Sequence, residues 1–359
     1  MAHSSLSSDG SLSEALSAIS SVVDIEETAR RFKAFQRPRQ VRSAADLLRL
    51  VLCYGAGLSL REGSAWADSA SIAALSNPGF LQRLRNAPAW LEHIAQHLLE
   101  RAPVQPSGTW TGRRLRVMDA SSLCQPGADR TTWRLHVSYD LTGHVDGIEL
   151  TDQSDVEHLS RFSCAPGDIC IADRGYAKAR DLRAVMATGA DFVVRSGWRS
   201  LSFVDEQGGA FGLFDVLAQL GEQPQSRPVW VNSGEKGKPP IALRLVIARL
   251  PPEQAAKARE KLAINIRKRC RIGDPRSLEA AGFVVIVTSL DETYSATDIL
   301  DLYRLRWQVE LLFKRFKSLV NLGALPAKCP KLARTWIFAK LILALLAENT
   351  ARNFAESSP

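Results

Sequence analysis

Near the C-terminal end of the chain, Tyr303, Arg306, Glu310 and Lys317 recur at offsets 0, 3, 7 and 14. On a helix, at about 100° per residue, these positions fall within an arc of about 60°, so they form one narrow stripe. Leu302, Leu305, Val309, Leu312, Phe313, Phe316 and Leu319 fill the adjacent apolar face. One acid is thereby held at the margin of a buried face, between two cations and a phenol. The set has a structural reading, because Arg306–Glu310 and Glu310–Lys314 are i,i+4 pairs that stabilise a bare helix. Two further acids add a chemical one. In RRLRVMDASSL, Leu115, Val117 and Asp119 alternate onto one face, and in DICIADRGY, Ile169, Ile171 and Asp173 do the same. Each Asp is expected where its strand runs out into a turn, the end of an open α/β sheet at which ligands collect. Singly, either is as well explained as a turn or cap residue. With Glu310 they make the oxygen donor set that two divalent ions about 3.5–4 Å apart require for in-line phosphoryl transfer. Hard oxygen ligands select Mg²⁺ or Mn²⁺.

The elements that would position these groups are legible in outline. Residues 1–21 are Ser-rich and are expected to be a disordered N-terminus. Residues 22–108 read as an all-helical domain, with Ser43 capping AADLLRLVLCYG and a turn at Asn77-Pro78-Gly79 before a short helix bearing Arg83 and Arg85. The basic segment RRFKAFQRPRQVR (30–42) makes this domain a candidate for DNA binding through phosphate contacts. PVQPSGTWTG (103–112) reads as a linker. Residues 109–197 follow with the order β-β-β-α-β-α-β, a mixed sheet flanked by helices. Residues 198–294 read as a β-rich insertion with strands RPVWVNSG, PIALRLVIARL and GFVVIVTSL and a basic helix starting at Pro251-Pro252. Residues 295–359 return to helices. They comprise one long helix over 296–320 that carries the stripe and a last apolar helix over 331–348.

Three ordered blocks resemble bacterial cut-and-paste insertion-sequence transposases of the insertion-sequence-four family. They are Y-x2-R-x3-E-x6-K at Tyr303, Arg306, Glu310 and Lys317, the Asp173-Arg174-Gly175-Tyr176 block, and Asp119 in V-M-D-A-S. The resemblance spans residues 30–345. It implies an α/β, ribonuclease-H-like mixed-sheet catalytic core interrupted by a β-rich insertion, with Asp119, Asp173 and Glu310 as catalytic residues and ligands of two Mg²⁺ or Mn²⁺ ions. It implies double-stranded DNA as partner, both transposon terminal inverted repeats and target, and a homodimer in the synaptic complex. DNA contacts are expected from Tyr303, Arg306, Lys314, Lys317 and Arg174. In the family a Trp that stacks on a flipped base begins the last insertion strand; here Phe283 stands in that place. Trp198 and Trp230 are alternative platforms, or core residues.

The function expected is metal-dependent cleavage at transposon ends and strand transfer into target DNA, with a cut-and-paste order through hairpin ends. Two alternatives stand beside it: a metal-dependent nuclease without strand transfer, and a catalytically inactive DNA-binding repressor of transposition. The remaining composition agrees. Lys+Arg 46 against Asp+Glu 38 gives +8, a modest bias toward a polyanionic partner. The six cysteines form no C-x-x-C, and scattered thiols suit a reducing compartment. The N-terminus lacks the pattern of a signal peptide, and the apolar run 336–347, broken by Lys340, is too short to span a bilayer. A cytoplasmic protein without membrane contact, associated with the nucleoid when bound to DNA, is expected. Glu92-His93 with His97 lacks the H-E-x-x-H order of a zinc site, and no Gly-rich loop of the P-loop type is present.

Overall fold

The structure is a computed structural model and describes residues 9–99, 108–128, 132–142, 144–233, 235, 237–268, 273–319, 322 and 325–357. The chain begins with α1 (Asp9–Ser20), α2 (Ile25–Arg31), α3 (Ala44–Ala56), α4 (Leu60–Ser69), α5 (Asn77–Asn86) and α6 (Pro88–Leu99). Strands β1 (Arg114–Leu123), β2 (Trp133–Asp140) and β3 (His144–Asp152) come next, then β4 (Asp168–Ala172), α7 (Ala179–Ala187) and β5 (Asp191–Arg195). The following stretch holds β6 (Phe203–Val204), α8 (Leu213–Ala218), β7 (Gln225–Val231), β8 (Ile241–Arg249), α9 (Pro252–Lys268), α10 (Pro275–Ala280) and β9 (Phe283–Thr288). Helices α11 (Ala296–Arg304), α12 (Trp307–Leu319) and α13 (Pro330–Ser357) close the chain.

Local chemistry sets many of these boundaries. The Ser43 hydroxyl accepts the Asp46 N–H at the start of α3, and Gly57, at φ +116°, ends that helix in a conformation that costs Gly least. Ser59 with Glu62 and Ser295 with Asp298 form reciprocal capping boxes on α4 and α11. Ser76 caps α5, and Pro78 occupies its first turn, where no N–H is needed.

Among the described residues the strands form one sheet in the order β3-β2-β1-β4-β5-β9-β8-β7-β6. β1 pairs antiparallel with β2 and parallel with β4, and β4 pairs parallel with β5. β9 runs antiparallel between β5 and β8. The sheet separates two cores by side-chain alternation. Leu115, Val117, Ile169, Ile171 and Val193 face one core, shared with α1–α6 and α11–α13. Met118, Cys170, Ala172, Phe192 and Val194 face the other, shared with α7, α8 and the strands after β5. The N-terminal helices are built around α13. A Cβ on Gly55 would lie 2.6 Å from the Ala339 Cβ, and Thr335 Oγ1 donates to the Leu84 carbonyl at 2.6 Å.

Three expectations are corrected here. Residues 9–20, expected to be disordered, form α1, because Leu12, Leu16 and Ile19 recur at helical spacing and are buried against α3. The helix expected over 296–320 is two helices. The N–H groups of Arg306, Gln308 and Val309 donate to carbonyls three residues back, a tight turn that separates α11 from α12. Asp119 is not at a strand end, since β1 runs on to Leu123. Of the expected linker, residues 103–107 lie outside the described residues and 108–112 form a short 3₁₀ turn and a turn.

Candidate active site

The parallel pairing of β1 with β4 ends at Met118↔Ala172. β4 stops there, whereas β1 continues, paired with β2 through Asp119↔Val137. The divergence leaves Asp119 at a gap in the sheet, on the face that α11 and α12 cover. Asp173 is the first residue past β4 and caps a short 3₁₀ turn over Arg174–Tyr176 by accepting the Gly175 N–H on Oδ1 at 2.8 Å. The two aspartates therefore flank the carboxyl end of β4, one by strand continuation and one by strand termination.

The broken helix supplies the third acid. The turn at 305–306 aims Arg306 toward the sheet, where its Nη1 lies 3.6 Å from Asp119 Oδ2. Its Nη2 donates to Glu310 Oε1 at 2.6 Å. The guanidinium also sits over the Tyr303 ring, 5.8 Å from its centroid. Arg306 thus bridges a strand acid and a helix acid. Burial opposes its charge, but Tyr303, Glu310 and Asp119 together outweigh that and hold it protonated. Its Nε is buried with no acceptor among the described residues.

Asp119 is the strained member. Burial, Asp173 and Glu310 raise its pKa to about 6, against the Ala120 N–H and Arg306, which lower it. Tyr176 lies beneath the acids, 2 % exposed, and burial with Asp119, Glu157 and Asp173 pushes its phenol well above the ordinary range. The Asp119 shift has a stability consequence. An acid with a raised folded pKa binds more protons folded than unfolded between about pH 4 and 6, so stability falls as pH rises through that window and stays lower above it. Asp119→Asn should remove this slope and stabilise the metal-free protein at pH 8 by about 1–2 kcal/mol, after discounting for its partial exposure. Denaturant melts at pH 5 and pH 8 check this; equal pH slopes for wild type and variant contradict it.

The other expected residues divide. Tyr303 joins the site: burial raises its pKa, while Arg306 and Arg195 act to lower it. Lys314 is exposed on α12, one turn past Glu310, and Lys317 lies on the same helix with its side chain outside the description. Arg174 is exposed beside Gly197. Phe283 does not join the site. It is 6 % exposed at the start of β9, packed in the core under the Arg249 guanidinium, 4.8 Å from the ring centroid. Neither face of that ring is presented to a base, so the stacking role is withdrawn. Trp198 is held between Arg199 and Arg276, with guanidinium carbons 4.3 Å and 4.6 Å from the ring centroid. Glu92 pairs with Arg334, and His93 and His97 pack ring on ring, as a surface helix pair does. Sequence reasoning missed Arg134, Glu157 and Tyr176. Glu157 pairs with Arg134 at 3.1 Å and borders Gly175 beside Asp173. Its carbonyl accepts from Lys178 Nζ. Only Tyr176 carried a signal, as part of the Asp173 block.

The carboxylates suit a hard divalent cation in chemistry. Asp173 Oδ2, Glu310 Oε2 and Asp119 Oδ2 each lack a hydrogen-bond donor among the described residues. In spacing they are not gathered. Among the described residues no three His, Cys, Asp or Glu side chains lie close enough to share an ion, and Arg306 stands between Asp119 and Glu310.

Residues 110–346 match the transposase DDE domain family. The chain belongs to that family and is an enzyme acting on DNA. It is 42% identical over 334 residues to the putative transposase InsL for insertion sequence element IS186A of Escherichia coli (strain K12), covering 91% of this chain and 90% of that one. The transposase for insertion sequence element IS421 of Escherichia coli is 42% identical over 335 residues, with the same coverage of 91% and 90%. The transposase for insertion sequence element IS231F of Bacillus thuringiensis subsp. israelensis is 24% identical over 370 residues, covering 91% of this chain and 76% of that one. Dependence on divalent metal goes with the domain in general, and the large mixed sheet is consistent with a ribonuclease-H-like fold. Among the described residues no helix is long and apolar enough to cross a membrane.

Proposed function

We propose that this chain is a cut-and-paste transposase of the insertion-sequence-four family that cleaves the ends of its element, through hairpin intermediates, and joins them to target DNA. Asp119, Asp173 and Glu310 are its catalytic carboxylates. The observation that carries the reading is Arg306, which binds two of these acids at once while its buried Nε lacks an acceptor. Arg161, Arg183 and Arg244 also bury an Nε without an acceptor, so what sets Arg306 apart is that it bridges two of the acids. A phosphate oxygen is the acceptor that fits it.

Two Mg²⁺ or Mn²⁺ ions held by the three carboxylates would supply the Lewis acidity that activates water, and later a 3′-hydroxyl, toward a phosphodiester. The chain's own residues do the rest. In the free protein Arg306 offsets the repulsion between Asp119 and Glu310. On DNA its Nε and freed N–H groups hold a backbone phosphate in register, with Tyr303 supporting the guanidinium plane. Exposed Lys314, with Lys317 and Arg174, neutralises neighbouring phosphates. Residues 22–108 serve as the helical DNA-binding region, 109–197 and 295–359 as the catalytic core, and 198–294 as the insertion, working as a homodimer on paired ends in the bacterial cytoplasm.

Arg306→Ala should slow end cleavage about 100-fold or more while duplex affinity changes much less, because one oriented phosphate contact is lost and the rest remain. Cleavage at the wild-type rate contradicts the role. The reaction class is tested by supplying pre-cleaved ends with a supercoiled plasmid. Covalent joining with Mg²⁺ is expected; hydrolysis of the ends without joining points to a nuclease, and duplex binding without either reaction points to a repressor.

A further inference from the structure

Two thiols sit together at the start of the strand that leads to Asp173. Cys164 lies in the loop before β4 and Cys170 in the middle of that strand, and their sulfurs are 3.2 Å apart. The two differ in access. Cys164 is half-buried between exposed Ser163 and exposed Ala165 and Pro166, whereas Cys170 is 0% exposed. They also differ in charge environment. Arg116 Nη1 lies 3.9 Å from Cys164 Sγ. Its contact with Cys170, together with Arg116, lowers the Cys164 pKa against burial, Asp168 and Asp146, and so favours the thiolate. The same contact, with burial, raises the Cys170 pKa and keeps that sulfur protonated. An accessible thiolate beside a sheltered thiol is the arrangement in which a sulfenic acid, once formed, condenses to a disulfide.

We propose that Cys164 and Cys170 are a redox-modification site for peroxides, and that the disulfide they form slows end joining. The Cys164 thiolate attacks one peroxide oxygen. An S–O bond forms, the O–O bond breaks, and the second oxygen leaves as hydroxide and is protonated to water. The Cys170 sulfur then attacks the sulfenic sulfur. The S–S bond forms, the S–O bond breaks, and the hydroxyl leaves with the Cys170 proton as water. Two thiols are oxidised, one peroxide is reduced to two waters, and a dithiol reductant reverses the change. Cys170 is fixed in the sheet, opposite Arg116 on β1 and Phe192 on β5, so drawing the sulfurs to about 2.05 Å moves the loop rather than the strand. That loop is held by the two strands it adjoins. The Ser163 carbonyl accepts from Arg116 Nη1 at 2.6 Å, and the Ala165 N–H donates to Asp168 Oδ2 at 3.1 Å. Arg116 lies three positions before Asp119, and Cys170 three before Asp173, so a displaced loop bears on both strands that lead to the acids. The slowing rests on the transposase reading; the modification does not.

The test treats the reduced full-length protein with hydrogen peroxide, removes the oxidant, and reads both peptide mass and the joining of pre-cleaved ends. Tryptic peptide 162–174 holds both thiols. It should lose about 2 Da, the mass of two hydrogens, and resist alkylation until dithiothreitol is added. Joining should fall about 10-fold and recover with dithiothreitol, since a displacement of about 1 Å can cost that much or more. In Cys170→Ser the chemistry should stop at the Cys164 sulfenic acid, trapped by dimedone. In Cys164→Ser the mass of the peptide and the joining rate should both hold. A peptide that stays a dithiol, or a Cys170→Ser protein that dimedone does not label, overturns the modification site. A disulfide that leaves joining at the reduced rate overturns the switch, and so does an equal loss of joining in Cys164→Ser. If the reduced wild type joins no ends at all, the transposase reading is at fault, and the mass change still decides the site.

Discussion

Replacing any one of Asp119, Asp173 or Glu310 by Ala should lower strand joining about 10³-fold or more, and any double replacement should cost little beyond the worse single. The reason is geometric. Asp119 continues a strand past the end of its neighbour, Asp173 caps the turn that ends that neighbour, and Glu310 on α12 is tied to Asp119 through Arg306. Groups that must hold the same metal ions and the same phosphate act as one unit, so the first loss removes nearly everything. Duplex affinity should persist in all three variants, because the contacts expected to provide it are the cations. Multiplicative losses in the doubles, each single costing only a few-fold, contradict a shared site. So does a single variant that joins ends at the wild-type rate.

Arg116→Ala should destabilise the protein by about 3–5 kcal/mol. Arg116 lies on β1 three positions before Asp119 and its side chain is 4% exposed. It donates to Asp146 Oδ2 at 2.7 Å, to Asp168 Oδ2 at 3.1 Å and to the Ser163 carbonyl at 2.6 Å. Burial works against its charge, but Asp146, Cys170, Cys164 and Asp168 hold it protonated. Truncation leaves buried Asp168 without its countercharge and Asp146 with Arg114 alone, within the sheet whose β1 carries Asp119. Urea melts at pH 7 check the magnitude; a loss under about 1 kcal/mol shows that the network is dispensable.

The strands were readable because alternation is a local property. Leu115 and Val117, like Ile169 and Ile171, share a face in the sequence as in the sheet. The cap at Ser43 was readable for the same reason. What escaped depends on partners distant in sequence. No Gly or Pro marks the break between α11 and α12, yet it aims Arg306 at Asp119, 187 positions earlier. Phe283 was expected to stack because it stands where the family's Trp begins the strand, but the pairing of β9 between β5 and β8 places it in a core. The same pairing makes the strands after β5 continuous with the sheet of β1–β5, where the strand pattern and the resemblance suggested a separate β-rich insertion. α1 was hidden by its serines, since its stripe matters only once α3 is there to cover it.

The central claim is that three carboxylates far apart in sequence serve one divalent-metal site, and metal-directed backbone cleavage tests it most directly. Fe²⁺ exchanged into the DNA-bound protein, with ascorbate and peroxide, generates hydroxyl radicals that cut the polypeptide beside the bound ion. The account predicts cuts clustered near residues 119, 173 and 310, suppressed by excess Mg²⁺ and lost from all three places in Asp119→Asn. Cutting near only one of the three, or a pattern that Asp119→Asn leaves unchanged, would contradict it.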